Sequence, residues 1–298
     1  MNQGRTRGTA LWLVFGREKN KDNKALLFYN GEIKENIHNK EQIDRGLRRI
    51  AENIVQIFLP RRCPLCDTIL REPQALICEK CRGELPWTAK AEAQCMKCSR
   101  PIEDVREAYC QACAKTEHAF EQAYAVFTYE KGMRESVLRM KFENRREYLD
   151  FYAQAMAEGS RVFLRTAKPQ AVMPVPMYPA KVHRRGYDQC RLLAKKYAEL
   201  TGLELITDRL VRVRDTQPQK GLTAADRVRN LRDAFAVRPP GQKRREYCQR
   251  VPSREALPQR VLLLDDIYTT GSTVDACSRA LLAAGVEKVF VLALCIAR

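Results

Sequence analysis

The chain has 298 residues, 45% of them hydrophobic, and a formal net charge of +17 at pH 7. That length allows one core of about 150 to 200 residues plus a small module. No apolar run approaches the roughly 18 residues of a membrane helix, which argues against membrane insertion and for a cytoplasmic protein. The charge is uneven: 11 basic against 7 acidic residues over 1–60, 10 against 9 over 61–118, and 32 against 20 over 119–298. The excess suits a polyanionic small molecule, a nucleic-acid backbone or a merely solvated basic surface, and charge alone does not separate these.

Residues 1–42 are polar and lysine-rich, with apolar pieces only around Trp12 and Leu26 to Tyr29, and read as a disordered extension without a core. From Ile43 the spacing Ile43, Leu47, Ile50, Ile54, Ile57 is helical, and Pro60 stops it.

Eight of the twelve cysteines then fall in four Cys-x-x-Cys knuckles: Cys63 and Cys66, Cys78 and Cys81, Cys95 and Cys98, Cys110 and Cys113. The second set of four repeats the first at an offset of 32 residues. Each unit, Cys-x2-Cys-x11-Cys-x2-Cys, has the spacing of a zinc ribbon, in which two tight turns present four thiolates tetrahedrally. Two structural Zn²⁺ ions are expected, paired within each repeat, with a crossed pairing of knuckles as the alternative. His118, just beyond, reads as an exposed linker residue. The region 43–118 is therefore a helix plus a double zinc ribbon.

From 119 onward strands alternate with helices. Ala123 to Tyr129 alternates as a strand, Met133 to Phe142 and about Tyr148 to Arg165 are helical, and Ala171 to Met177 is a short apolar strand ended by two prolines. A basic loop with Lys181, Arg184, Arg185 and Gly186 leads to a helix from Tyr187 to Thr201, which Gly202 caps. Leu203 to Ile206 and Ala234 to Val237 are strand-like. Residues 238–260, rich in Pro, Arg and Gln, read as an exposed insertion. The order implies an α/β fold with a mostly parallel sheet and ligands at the strand carboxyl ends. Cys190, Cys277 and Cys295 lie on apolar faces and read as core residues.

The densest chemistry lies in 261–273. Val261 to Leu264 is a strand pattern buried on both faces, running directly into Asp265 and Asp266. Thr269, Thr270, Gly271, Ser272 and Thr273 follow, then a helical pattern that ends at Gly285. Backbone N–H groups in such a turn, with the positive end of the helix dipole, hold a phosphate, and paired acids hold sugar hydroxyls and Mg²⁺. This stretch resembles the signature of type I phosphoribosyltransferases, which bind phosphoribosyl pyrophosphate (PRPP).

Further motifs agree with one family. The duplicated knuckles, Met140-Lys141-Phe142, Pro174-Val175-Pro176, Arg185-Gly186-Tyr187-Asp188-Gln189, Thr216-x-x-Gln219-x-x-Leu222, Arg227-x-x-Asn230 and the 261–273 signature together resemble the ComF family over roughly residues 43–298. The resemblance implies a zinc ribbon joined to a phosphoribosyltransferase-like domain over 119–298, and a role in natural competence. It implies as partners PRPP with Mg²⁺, single-stranded DNA, and competence proteins such as a helicase-like one. On that basis Asp265 and Asp266 take the ribose hydroxyls as the catalytic pair and Thr269 to Thr273 take the 5′-phosphate. Val175 and Pro176 line the site, and Arg184 or Arg185 meets the pyrophosphate. Arg214, Gln219, Arg227 and Asn230 belong to a mobile cover.

Two departures stand out. Asp188 replaces the usual Asn, and Thr269 stands where purine-salvage relatives of the wider superfamily carry an acid that acts as a base. Purine salvage is thereby disfavoured. The alternatives are a metabolic phosphoribosyltransferase with an amine or nucleobase acceptor, or an inactive scaffold gated by PRPP.

Overall fold

The computed structural model describes residues 28–29, 32–33, 60–72, 74–215, 231, 233–239 and 256–297. Two compact units divide at Pro60. In the first, β1 (Phe28–Tyr29) pairs antiparallel with β2 (Glu32–Ile33). The expected helix from Ile43 lies outside the described residues.

The second unit, Arg61–Arg298, contains both the ribbon and the α/β body. The ribbon holds α1 (Glu79–Gly83), a short hairpin of β3 (Ala93–Gln94) with β4 (Pro101–Ile102), and α2 (Gln111–Lys115). Then come β5 (Gln122–Thr128), α3 (Lys131–Phe142), α4 (Tyr148–Gly159), α5 (Arg161–Ala167), β6 (Ala171–Pro174), α6 (Pro179–Arg185), α7 (Gln189–Thr201) and β7 (Glu204–Leu205). A two-stranded antiparallel pair, β8 (Leu210–Arg212) with β9 (Phe235–Val237), precedes β10 (Arg260–Tyr268), α8 (Ser272–Ala283) and β11 (Lys288–Ile296).

The main sheet has the order β5-β11-β10-β6-β7 and is parallel throughout. Its central strands are covered on both faces, the usual requirement of a parallel sheet. Leu262, Leu264 and Leu292 pack against Met133, Met140, Tyr152, Met156 and Leu193 from α3, α4 and α7. Val261, Leu263 and Val291 pack on the other side with Val274, Cys277 and Leu281 of α8.

The ribbon covers the β5 edge of the sheet. Along β5, Ala123 N donates to Lys97 O at 2.8 Å, Ala125 N to Ser99 Oγ at 2.8 Å and Thr128 N to Pro86 O at 2.9 Å. Backbone groups that would otherwise form an open, sticky edge are thereby satisfied. The first zinc unit contributes Cys63 and Cys81 to one core cluster, and the second contributes Cys95, Cys98 and Cys110 to the other, so the ribbon straddles the sheet.

Four expectations need correction. The predicted long helix from Tyr148 is broken at Ser160 into α4 and α5. The basic stretch before Gly186 is not a loop: Pro179 starts α6, and Gly186 at φ 81° ends it in the left-handed conformation that favours glycine. The helix expected from Tyr187 starts at Gln189, with Asp188 as the N-cap of α7, its carboxylate accepting from Arg191 N at 3.0 Å. His118 is buried, not exposed. Its ring stacks on Phe120 with centroids 4.8 Å apart and lies 3.7 Å from Asp275 Oδ1.

Candidate functional site

The sheet order fixes where a site can form. After β6 the chain proceeds outward to β7, whereas after β10 it proceeds the opposite way to β11, so the β6–β10 boundary is a topological switch point. Pairing between these strands ends at Leu264 and Pro174, while β10 continues beside β11 as far as Tyr268. The acids therefore lie within β10, not past its end, along the edge that β6 has left.

Asp266 is buried and fully engaged. Lys141 Nζ, from the end of α3, donates to Oδ1 at 2.8 Å, and Gln189 Nε2, from the start of α7, donates to Oδ2 at 2.7 Å. Burial alone would raise its pKa, but the Lys141 charge and the two hydrogen bonds outweigh that and hold the carboxyl below its ordinary value. Asp265 is half-buried and its pKa is raised to about 7, first by burial and then by the neighbouring Asp266 charge. One acid is thus a settled anion and the other is poised near neutrality. Such split pairs are frequent at functional sites.

Beyond the acids, Thr269 is exposed and Thr270 Oγ1 lies 2.8 Å from Ser272 Oγ. Gly271 caps α8 at φ 79°, and a Cβ there would collide with the Tyr268 hydroxyl, so the turn needs glycine twice over. The first N–H groups of α8 point out of this turn, as at any helix start. Asp275 ties the helix start to the ribbon's exit by accepting from Ala119 N at 2.6 Å.

Sequence reasoning missed the groups that reach the site from elsewhere. Lys141 and Gln189 sit in motifs noted above without being given roles. Cys190 is a core residue, as its apolar face implies. It is buried, yet its Sγ lies 3.6 Å from Asp265 Oδ1. Arg100, in the second zinc unit, donates to Thr269 O at 2.6 Å. No local pattern announces these; they converge through the fold.

Of the expected pyrophosphate arginines, Arg185 reaches the site indirectly, donating to Gln189 Oε1 at 2.5 Å, while Arg184 points to solvent on α6. Val175 is buried, and its N donates to Leu264 O at 2.9 Å, with Pro176 next in the chain. Arg214 is exposed, and Gln219, Arg227 and Asn230 lie outside the described residues.

The cysteines gather as expected from pairing within each repeat: Cys63, Cys66, Cys78 and Cys81 in one group, Cys95, Cys98, Cys110 and Cys113 in the other. Cys66 Sγ to Cys78 Sγ and Cys98 Sγ to Cys110 Sγ both measure 3.8 Å. A zinc–sulfur bond of about 2.3 Å gives a tetrahedral edge of about 3.8 Å, so both groups fit structural zinc.

Residues 54–114 match the family model of a double zinc ribbon domain. Over 235 residues, 78% of this chain and 95% of the relative, the sequence is 28% identical to competence protein F of Haemophilus influenzae. The chain is a homologue of competence protein F. The homologue is also 26% identical over 246 residues to DNA utilization protein YhgH of Escherichia coli, covering 80% and 98% of the two chains. It is 24% identical over 209 residues to competence protein ComFC of Streptococcus pneumoniae, covering 65% and 84%. Among solved structures, a hypoxanthine phosphoribosyltransferase of Staphylococcus aureus overlaps 49% of this chain and 64% of that one, at 10% identity and a TM-score of 0.29.

Among the described residues Asp265, Asp266 and Cys190 form a third metal-like group. It is a poor cage for Mg²⁺. A thiol is a soft donor, burial pushes the Cys190 pKa well up, and Lys141 already neutralises Asp266. Asp265 Oδ1 accepts from Asp266 N at 2.8 Å and lies 3.6 Å from Cys190 Sγ. No helix among the described residues is long and apolar enough to cross a membrane.

Proposed function

We propose that this protein binds PRPP at the β6–β10 crevice and acts with single-stranded DNA in the uptake or use of DNA. The observation that carries the reading is the succession within one strand and turn of Asp265 and Asp266, then Thr269 to Thr273 at the start of α8. In this reading Asp265 holds the ribose hydroxyls and the Mg²⁺ that accompanies the pyrophosphate. Lys141 and Gln189 hold Asp266 as a fixed negative charge beneath the sugar. The α8 N-terminus takes the 5′-phosphate, and Arg185 faces the leaving pyrophosphate. The similarity to competence and DNA utilization proteins supports the DNA half of the proposal.

Transfer would break the ribose C1–O bond, with its electron pair leaving on pyrophosphate, as a nucleophilic acceptor bonds to C1. A reading without transfer is favoured by Thr269, which cannot act as a base, and by the engagement of both Asp266 oxygens. Pyrophosphate release measured with PRPP, Mg²⁺ and candidate amines or nucleobases decides between turnover and binding. Single-strand binding that weakens steeply with salt is expected in either case, and its absence would remove the DNA half.

A further inference from the structure

Phe142, the last residue of α3, is 72% exposed although it adjoins Lys141 of the site. An isolated exposed aliphatic residue means little, but this ring is organised. The Arg185 guanidinium lies over it at 5.5 Å from the centroid. Next to it Arg146 lies over Tyr187 at 4.5 Å, and the Tyr187 hydroxyl donates to Met140 O, which anchors the end of α3. Arg185 continues inward through Gln189 to Asp266. Phe142 is therefore an exposed aromatic ring under one arginine, at the end of a chain of contacts that leads to Asp266.

We infer that Phe142 is the stacking platform for an unpaired nucleobase of single-stranded DNA, with Arg146 holding an adjoining phosphate; this rests on the DNA half of the proposed function. An aromatic ring beside arginines is the combination that binds single strands without reading sequence, because every base offers a π face. In a duplex those faces are already stacked on one another and out of reach. Glu143 adjoins the ring, but the arginines outnumber it.

The test compares intact protein with Phe142→Ala, using oligothymidylate, an abasic strand of equal length and free thymidine monophosphate in anisotropy or competition titrations. PRPP binding is measured in the same samples. Wild type should prefer oligothymidylate to the abasic strand. Phe142→Ala should lose about tenfold or more in affinity for oligothymidylate and erase that preference, with the salt dependence and PRPP binding unchanged. Phe142→Trp should restore binding and show fluorescence quenching on addition of the strand. Equal affinity of Phe142→Ala and wild type for oligothymidylate would overturn the inference, as would tighter binding of the free monophosphate than of the strand. Neither result bears on the PRPP site.

Discussion

Arg100 of the second zinc unit donates its terminal guanidinium N–H to the carbonyl oxygen of Thr269, 2.6 Å away and 169 residues on in the chain. Its own carbonyl accepts from Cys95 N at 2.8 Å, so the bond runs from a cysteine-knuckle turn to the first residue of the turn that precedes α8. The ribbon is therefore part of the site's support as well as its neighbour. Arg100→Ala should weaken PRPP binding by about tenfold, the worth of one charge-assisted hydrogen bond, with two zinc ions per chain retained. Calorimetric titration beside metal analysis checks this. Unchanged affinity would mean that the contact supports nothing in the turn.

Lys141 and Asp266 form a buried ion pair, with side chains only 15% and 8% exposed. Removing the cation strands a buried carboxylate, the costly way to break such a pair. Lys141→Met should destabilise the protein by about 3 kcal/mol, and Lys141→Met with Asp266→Asn by less than Lys141→Met alone. Denaturant unfolding of the four proteins closes the cycle. A double variant as unstable as the sum of the singles would contradict the coupling.

Asp265 should make stability depend on pH. Its folded pKa of about 7 lies above the ordinary carboxylate value because burial and Asp266 disfavour its charge. Below the ordinary value it is protonated in both folded and unfolded states and costs nothing. As pH rises toward 7 the folded state holds a proton that the unfolded state has released, and the penalty grows until Asp265 ionises in the fold as well. Asp265→Asn should therefore raise the melting temperature by a few degrees at pH 8 and by less at pH 5. Equal shifts at both pH values would show that the carboxyl is not held near neutrality.

What could be read from the sequence was local. The zinc units were legible because their ligands are fixed by spacing along the chain, and the Asp265 to Thr273 stretch because strand, acids and turn are contiguous. The 174–186 segment carried helix signals, Pro179 at the start and Gly186 at the end, that its charge obscured. His118 was misread because its burial depends on Phe120 and on Asp275, which lies far along the chain. Lys141, Cys190 and Arg100 reach the site from 75 to 169 residues away, and no periodicity encodes such meetings.

The most direct test of the central claim is a titration of the zinc-loaded protein with PRPP and Mg²⁺, run beside Asp265→Asn. Saturable binding in the wild type, weakened at least tenfold in a variant that is no less stable, is the predicted result. A folded protein with two bound zinc ions and no saturable heat would contradict the account.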